Sequence, residues 1–283
     1  MAITIATGNI SRSWKAHCLD PVLDIKQRIE LWKQSSESSY AADTDLEILA
    51  NPSEPLVCSE EDLAKKKFET TVKIFFTNSY STSARSQALT CALTKLRESM
   101  PLSVPITYLN LSFPEITFAD NDDDEDEQES EAAADPLSPE IFSLWQTAST
   151  LVTKFNIQHL GVSEFSTARL SALIKFSEKT GCTKPAVNQI NIRDCCVLPL
   201  SLVALAKNSG VKLLAHNDSF NILPVESVSD FVSLIGVNGE QEWDWDWLLK
   251  ITGVIADHGV VFGQGWIVEL GAVQPSRNNY IQS

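Results

Sequence analysis

The sequence predicts an α/β fold whose parallel strands close into a (β/α)8 barrel. Three observations carry this. Strand-like and helix-like segments alternate from residue 68 onward. Each helix-like segment is long enough to be a crossover. The number of such units in 283 residues favours a ring over an open sheet.

The segments run in order. "TVKIFF" (71–76) is short, β-branched and aromatic, as a buried strand requires. "SARSQALTCALTKLRESM" (83–100) places Ala88, Cys91, Ala92 and Leu96 at helical spacing. "PITYLNLSF" (105–113) is the next strand. "SPEIFSLWQTASTLVTKF" (138–155) is an amphipathic helix with Pro139 in its first turn. There follow a strand "IQHLGVS", a helix "STARLSALIKFSEKTG" stopped by Gly181, and a strand "PAVNQINI". A helix "PLSLVALAKNSG" ending near Gly210 and a strand "VKLLAHND" complete the run. Ahead of it, "DPVLDIKQRIELWKQ" (20–34) has a helical pattern and "SSESSYAADTD" (35–45) a loop composition.

Composition sets the class. With 43% hydrophobic residues the chain can bury a sizeable core, and one domain spanning 1–283 is expected. The net charge is −15, and nine carboxylates lie in "DNDDDEDEQESE" (120–131), leaving −6 for the rest. Residues 120–135 are expected to be an acidic, disordered loop insertion. No basic stripe tracks phosphates, so nucleic acid is not an expected partner. The start has no basic region followed by an apolar stretch, and no apolar run is long enough to cross a bilayer. A cytoplasmic chain without a membrane partner is expected. Six cysteines, at 18, 58, 91, 182, 195 and 196, form no CxxC pair and have no matching His spacing, so no metal site is expected.

"GVSEFS" (161–166) followed by "KPAVNQ" (184–189) resembles the aldo-keto reductase superfamily. That resemblance implies a TIM-type barrel with its site at the C-terminal strand ends. It also implies that Ser163 and Gln189 match positions holding a nicotinamide amide. The reductase acid–base set is not matched. The family's Lys position holds Asn78 after Thr77, its His position holds Ser112, and no "DTAxxYG" phrase precedes residue 71. Glu164 replaces an Asn, His216 stands where a stacking Tyr is usual, and the 2′-phosphate phrase is missing. An NADPH-dependent reductase with unusual acid–base groups is therefore the alternative reading. The expectation is a non-catalytic chain without a cofactor, since fold alone does not license function.

"NQINIRDCCVLPLSLVALAKNSGVKLLAHND" (188–218) is similar to the modifier, or regulatory, subunits of glutamate–cysteine ligase, as are "TGNI", "SARS" and "EWDWDWLLK". This resemblance implies a heterodimer with the catalytic subunit, a lower glutamate requirement and relief of glutathione feedback inhibition. Cys195 and Cys196 are read either as a turn with a buried thiol or as a redox-sensitive partner link. His216, Asn217 and Asp218 are read either as a hydrogen-bonded turn or as a partner contact at a strand end. Trp243, Trp245 and Trp247 have period two, which predicts one strand face, in the core or against the partner.

Overall fold

A computed structural model describes residues 2–7, 20–34, 46–48, 68–77, 82–118, 137–191, 198–219, 221–237, 241–256 and 260–273. Its elements in chain order are β1 (Ala2–Ala6), α1 (Pro21–Lys33), β2 (Leu46–Ile48), β3 (Phe68–Phe76), α2 (Thr82–Ser99) and β4 (Ile106–Ser112). Then come α3 (Pro139–Leu151), β5 (Ile157–Ser163), α4 (Thr167–Thr180), β6 (Val187–Asn191) and α5 (Leu200–Ser209). The last are β7 (Lys212–His216), α6 (Ser227–Ile235), β8 (Trp243–Ile255) and β9 (Val260–Ala272). Acidic residues 120–135 and Cys195 and Cys196 lie outside the described residues.

The chain is a mixed α/β protein with the expected run of parallel strands. Strands β3 to β7 are consecutive neighbours joined by helices α2 to α5. Gly181 and Gly210 end α4 and α5 with φ of 72° and 71°, the left-handed stop read from the sequence. The full strand order is β2-β1-β9-β8-β3-β4-β5-β6-β7, and among the described residues the sheet has two ends, β2 and β7. The departure from an eightfold parallel ring lies in β8 and β9. Only positions 256–259 separate them, far too few for a parallel crossover, so they pair antiparallel as a hairpin. That hairpin sits between β3 and β1, antiparallel to both.

Strand alternation divides the interior into two cores. Val72, Ile74 and Phe76 of β3 face Leu89, Leu93, Leu144, Trp145, Leu170 and Leu173 from helices α2 to α4. Phe75 faces the other way, into a core with Ile25 and Ile29 of α1 and Phe231 and Ile235 of α6. The three C-terminal tryptophans do not share a face. A register shift between Trp245 and Trp247 makes the β9 register skip Asp246, and this bulge turns the strand over. Trp243 and Trp245 enter the second core, while Trp247 enters the first and donates from Nε1 to Glu269 Oε1 at 3.2 Å.

The parallel half of the sheet is strongly curled. Strands β4 and β7 are three steps apart, about 14 Å along a flat sheet. Yet Lys212 Nζ donates to Tyr108 Oη at 2.7 Å. A polar row crosses the concave face: Lys250, Lys73, Asn110 and Gly161 are successive register partners on β8, β3, β4 and β5. Asn110 is fully buried, and a Cβ at position 161 would collide with its Oδ1, so glycine is required there.

Asp24, in the first turn of α1, accepts a hydrogen bond from Trp266 Nε1 at 3.0 Å. Burial pushes its carboxyl up to about 6 from 3.8, partly offset by that bond and reinforced by Asp20. The folded state therefore holds the proton more tightly than the unfolded chain. This contribution is fully present below about pH 4 and is lost as pH rises through about 6. Asp24→Asn is expected to flatten the fall in melting temperature across that window; an unchanged slope would contradict this.

Candidate functional site

The strand ends build a pocket at the C-terminal edge of the parallel run, where function concentrates in α/β folds. It measures about 90 Å³ and is lined by Lys73, Phe75, Phe113, Glu164, His216 and Asp218 among others. Lys73 comes from the middle of β3, Glu164 from the exit of β5, and His216 and Asp218 from the end of β7.

Asp218 is the hub. Its Oδ2 accepts from Lys73 Nζ at 2.9 Å and its Oδ1 from Lys250 Nζ at 2.6 Å. Both ion-pair partners are largely withdrawn from water. Register places the two lysines side by side on β3 and β8, and one carboxylate between them offsets their repulsion. Burial alone would raise the Asp218 carboxyl. The His216 contact and the two ammonium charges outweigh burial and hold it well below the usual carboxylate range. Lys73 is almost fully buried, which lowers its ammonium pKa despite the pull of Asp218 and Glu164. Flat strands would separate β3 from β7 by four steps, about 19 Å; the Lys73–Asp218 bond therefore requires the curl already described.

His216 is bracketed by carboxylates. Its Nε2 contacts Glu164 Oε1, and its Nδ1 lies 3.2 Å from Asp218 Oδ2. Asn217, between them in sequence, is exposed and does not line the pocket. Glu164 sits at φ 66°, a left-handed conformation uncommon for residues other than glycine. Its surroundings over-determine it. The Glu164 N–H donates to Gln189 O at 2.8 Å, and Asn191 N–H donates to its Oε1 at 2.9 Å. The Asn188 side chain clamps the next residue from both sides, donating to Phe165 O at 2.7 Å and accepting from Phe165 N at 3.2 Å. Such strain collects where a side chain must be aimed. Glu115, between the lining residues Pro114 and Ile116, is gripped by the Arg85 guanidinium with two bonds of 2.5 and 3.0 Å.

The structure thus joins His216 and Asp218, read from the sequence, to three groups the sequence reading passed over: Lys73, Lys250 and Asn191. Each lysine interrupts an otherwise apolar strand, "TVKIFF" and "WLLKITG". A lone charge in a buried strand demands a partner, and that was the available signal. Trp243 and Trp245 are 7% and 1% exposed and packed in the second core. Ser163 Oγ and Gln189 Oε1 are buried with no hydrogen-bond partner among the described residues, on register-paired positions of β5 and β6. They do not line the pocket.

A nicotinamide dinucleotide does not fit these residues. Sites for such ligands enclose roughly 300–1,000 Å³, against about 90 Å³ here. Glu164 also turns a carboxylate towards a ligand that would carry phosphates. No cluster of three or more His, Cys, Asp or Glu suited to a metal occurs among the described residues. No described helix is long and apolar enough to cross a membrane.

The fold and site define a mixed α/β chain with a small, charge-lined pocket at its parallel strand ends. No protein-family model matches it. The chain is similar to glutamate–cysteine ligase regulatory subunits. That of Rattus norvegicus is 30% identical over 127 residues, 44% of this chain and 44% of that protein. That of Homo sapiens is 29% identical over the same shares. The match therefore spans less than half the length of these mammalian relatives. A putative glutamate–cysteine ligase regulatory subunit of Schizosaccharomyces pombe is 23% identical over 279 residues, 94% of this chain and 96% of that one. Among solved structures, a Bombyx mori aldo-keto reductase in complex with NADP overlays at TM-score 0.32 and 19% identity, covering 50% of this chain and 39% of that one. An aldose reductase of Giardia lamblia gives 0.32 and 19%, covering 48% and 43%. Overlays this loose carry no argument.

Proposed function

We propose that this chain is the regulatory subunit of a glutamate–cysteine ligase, without catalytic activity of its own. It binds the catalytic subunit, lowers that enzyme's glutamate requirement and relieves its inhibition by glutathione. The observation that carries the reading is the similarity to the fission yeast protein across 94% of this chain. The site supports it from the chemical side. Lys73, Lys250 and His216 form ion pairs with Asp218 and Glu164, and no tyrosine among the described residues lines the pocket to serve as a reductase's proton donor.

Regulation of this kind is a coupling free energy. The chain must prefer one state of its partner by on the order of 1–3 kcal/mol to change an affinity several-fold. Co-elution with the purified catalytic subunit on size exclusion, at the mass of a one-to-one complex, is the expected result. Separate elution across the micromolar range, together with tight NADPH binding and turnover of a carbonyl by this chain alone, would instead favour the reductase alternative.

A further inference from the structure

The pocket offers two unspent groups of opposite sign. Lys73 is 3% exposed and makes one hydrogen bond, to Asp218 at 2.9 Å. The ammonium also lies over the Phe75 ring, 4.9 Å from its centroid, and of its three donors two remain without a hydrogen-bond acceptor among the described residues. Glu164 is 7% exposed and uses Oε1 for both Asn191 N–H and His216. Its Oε2 has no partner among the described residues, and its charge reaches the Lys73 ammonium. The surrounding formal charges cancel, since Lys73 and Lys250 are matched by Asp218 and Glu164.

Balance decides the ligand. A simple anion drawn to Lys73 would meet the Glu164 carboxylate, and a simple cation drawn to Glu164 would meet Lys73. A molecule carrying both charges a few atoms apart satisfies both groups and leaves neither buried charge worse off. Phe75, Phe76, Phe113, Ile116 and Ile222 complete the walls and suit a short apolar side chain. A volume of about 90 Å³ admits a molecule of alanine's size and rejects a tripeptide or nucleotide.

We infer that this pocket binds a small α-amino acid as its zwitterion, with the carboxylate on Lys73 and the ammonium on Glu164. The inference concerns this chain alone and does not depend on the regulatory reading.

Titration calorimetry on the full chain tests it, with L-alanine, acetate and methylamine as probes in the millimolar range. Saturable binding of alanine, about tenfold or more tighter than either singly charged fragment, is expected. Glu164→Gln is expected to weaken alanine binding about tenfold or more while still folding, read as a cooperative melting transition above the assay temperature, because the amide retains the shape. Lys73→Met gives the same loss from the opposite pole. Should Lys73→Met fail to fold, Glu164→Gln carries the test by itself. Absence of saturable alanine binding to the folded wild type would overturn the inference. So would acetate binding as tightly as alanine, or an unchanged alanine affinity in Glu164→Gln.

Discussion

Asp218→Ala is expected to destabilise the chain by about 3–5 kcal/mol, the usual cost of removing one member of a buried ion pair. The loss exceeds that of an ordinary surface bridge because two ammonium groups, Lys73 and Lys250, and His216 converge on this carboxylate. Its removal leaves the deeply buried Lys73 charge without a hydrogen-bond acceptor. Urea unfolding at pH 7 reads the effect as a fall in midpoint at unchanged slope. The acid limb supplies a second signature. A carboxyl held below its ordinary 3.8 contributes stability that is present above that pH and is lost as pH falls below it. Wild type should therefore lose more stability than Asp218→Ala on acidification from pH 4 downward. A variant as stable as wild type at pH 7, with the same acid limb, would show that the cluster does not hold the strand ends together.

Trp245→Ala is expected to cost about 3–5 kcal/mol, the range for deleting a large buried aromatic. Trp245 is 1% exposed, packs edge-on against Phe231 at 5.0 Å between centroids, and donates from Nε1 to Pro224 O at 3.1 Å. It pins α6 and the turn ahead of it onto β8. Partner binding should weaken only in step with unfolding. A variant of normal unfolding midpoint that nonetheless loses the catalytic subunit would return Trp245 to the interface.

What was legible in the sequence follows from locality. Strands β3 to β7 pair with their chain neighbours, so their periodicity, Gly181 and Gly210 foretold the parallel run. Strand β1 pairs with β9 from the other end of the chain, and no local pattern reports such a partner. The bulge at Asp246 defeated the period-two reading of the tryptophans, because one extra residue reverses every side chain beyond it. The site divided in the same way. His216 and Asp218 stand at a strand end and were visible there. Lys73 and Lys250 belong to the site only because β8 folds back against β3 and the sheet curls β7 towards both.

The central claim is that this chain tunes a ligase. The most direct test is γ-glutamylcysteine formation by the purified catalytic subunit, titrated with glutamate in the presence of glutathione, with and without this chain. The account predicts a several-fold lower KM for glutamate and weaker glutathione inhibition when the chain is added, a coupling of about 1–3 kcal/mol. Identical kinetic constants at chain concentrations that saturate any complex would contradict it.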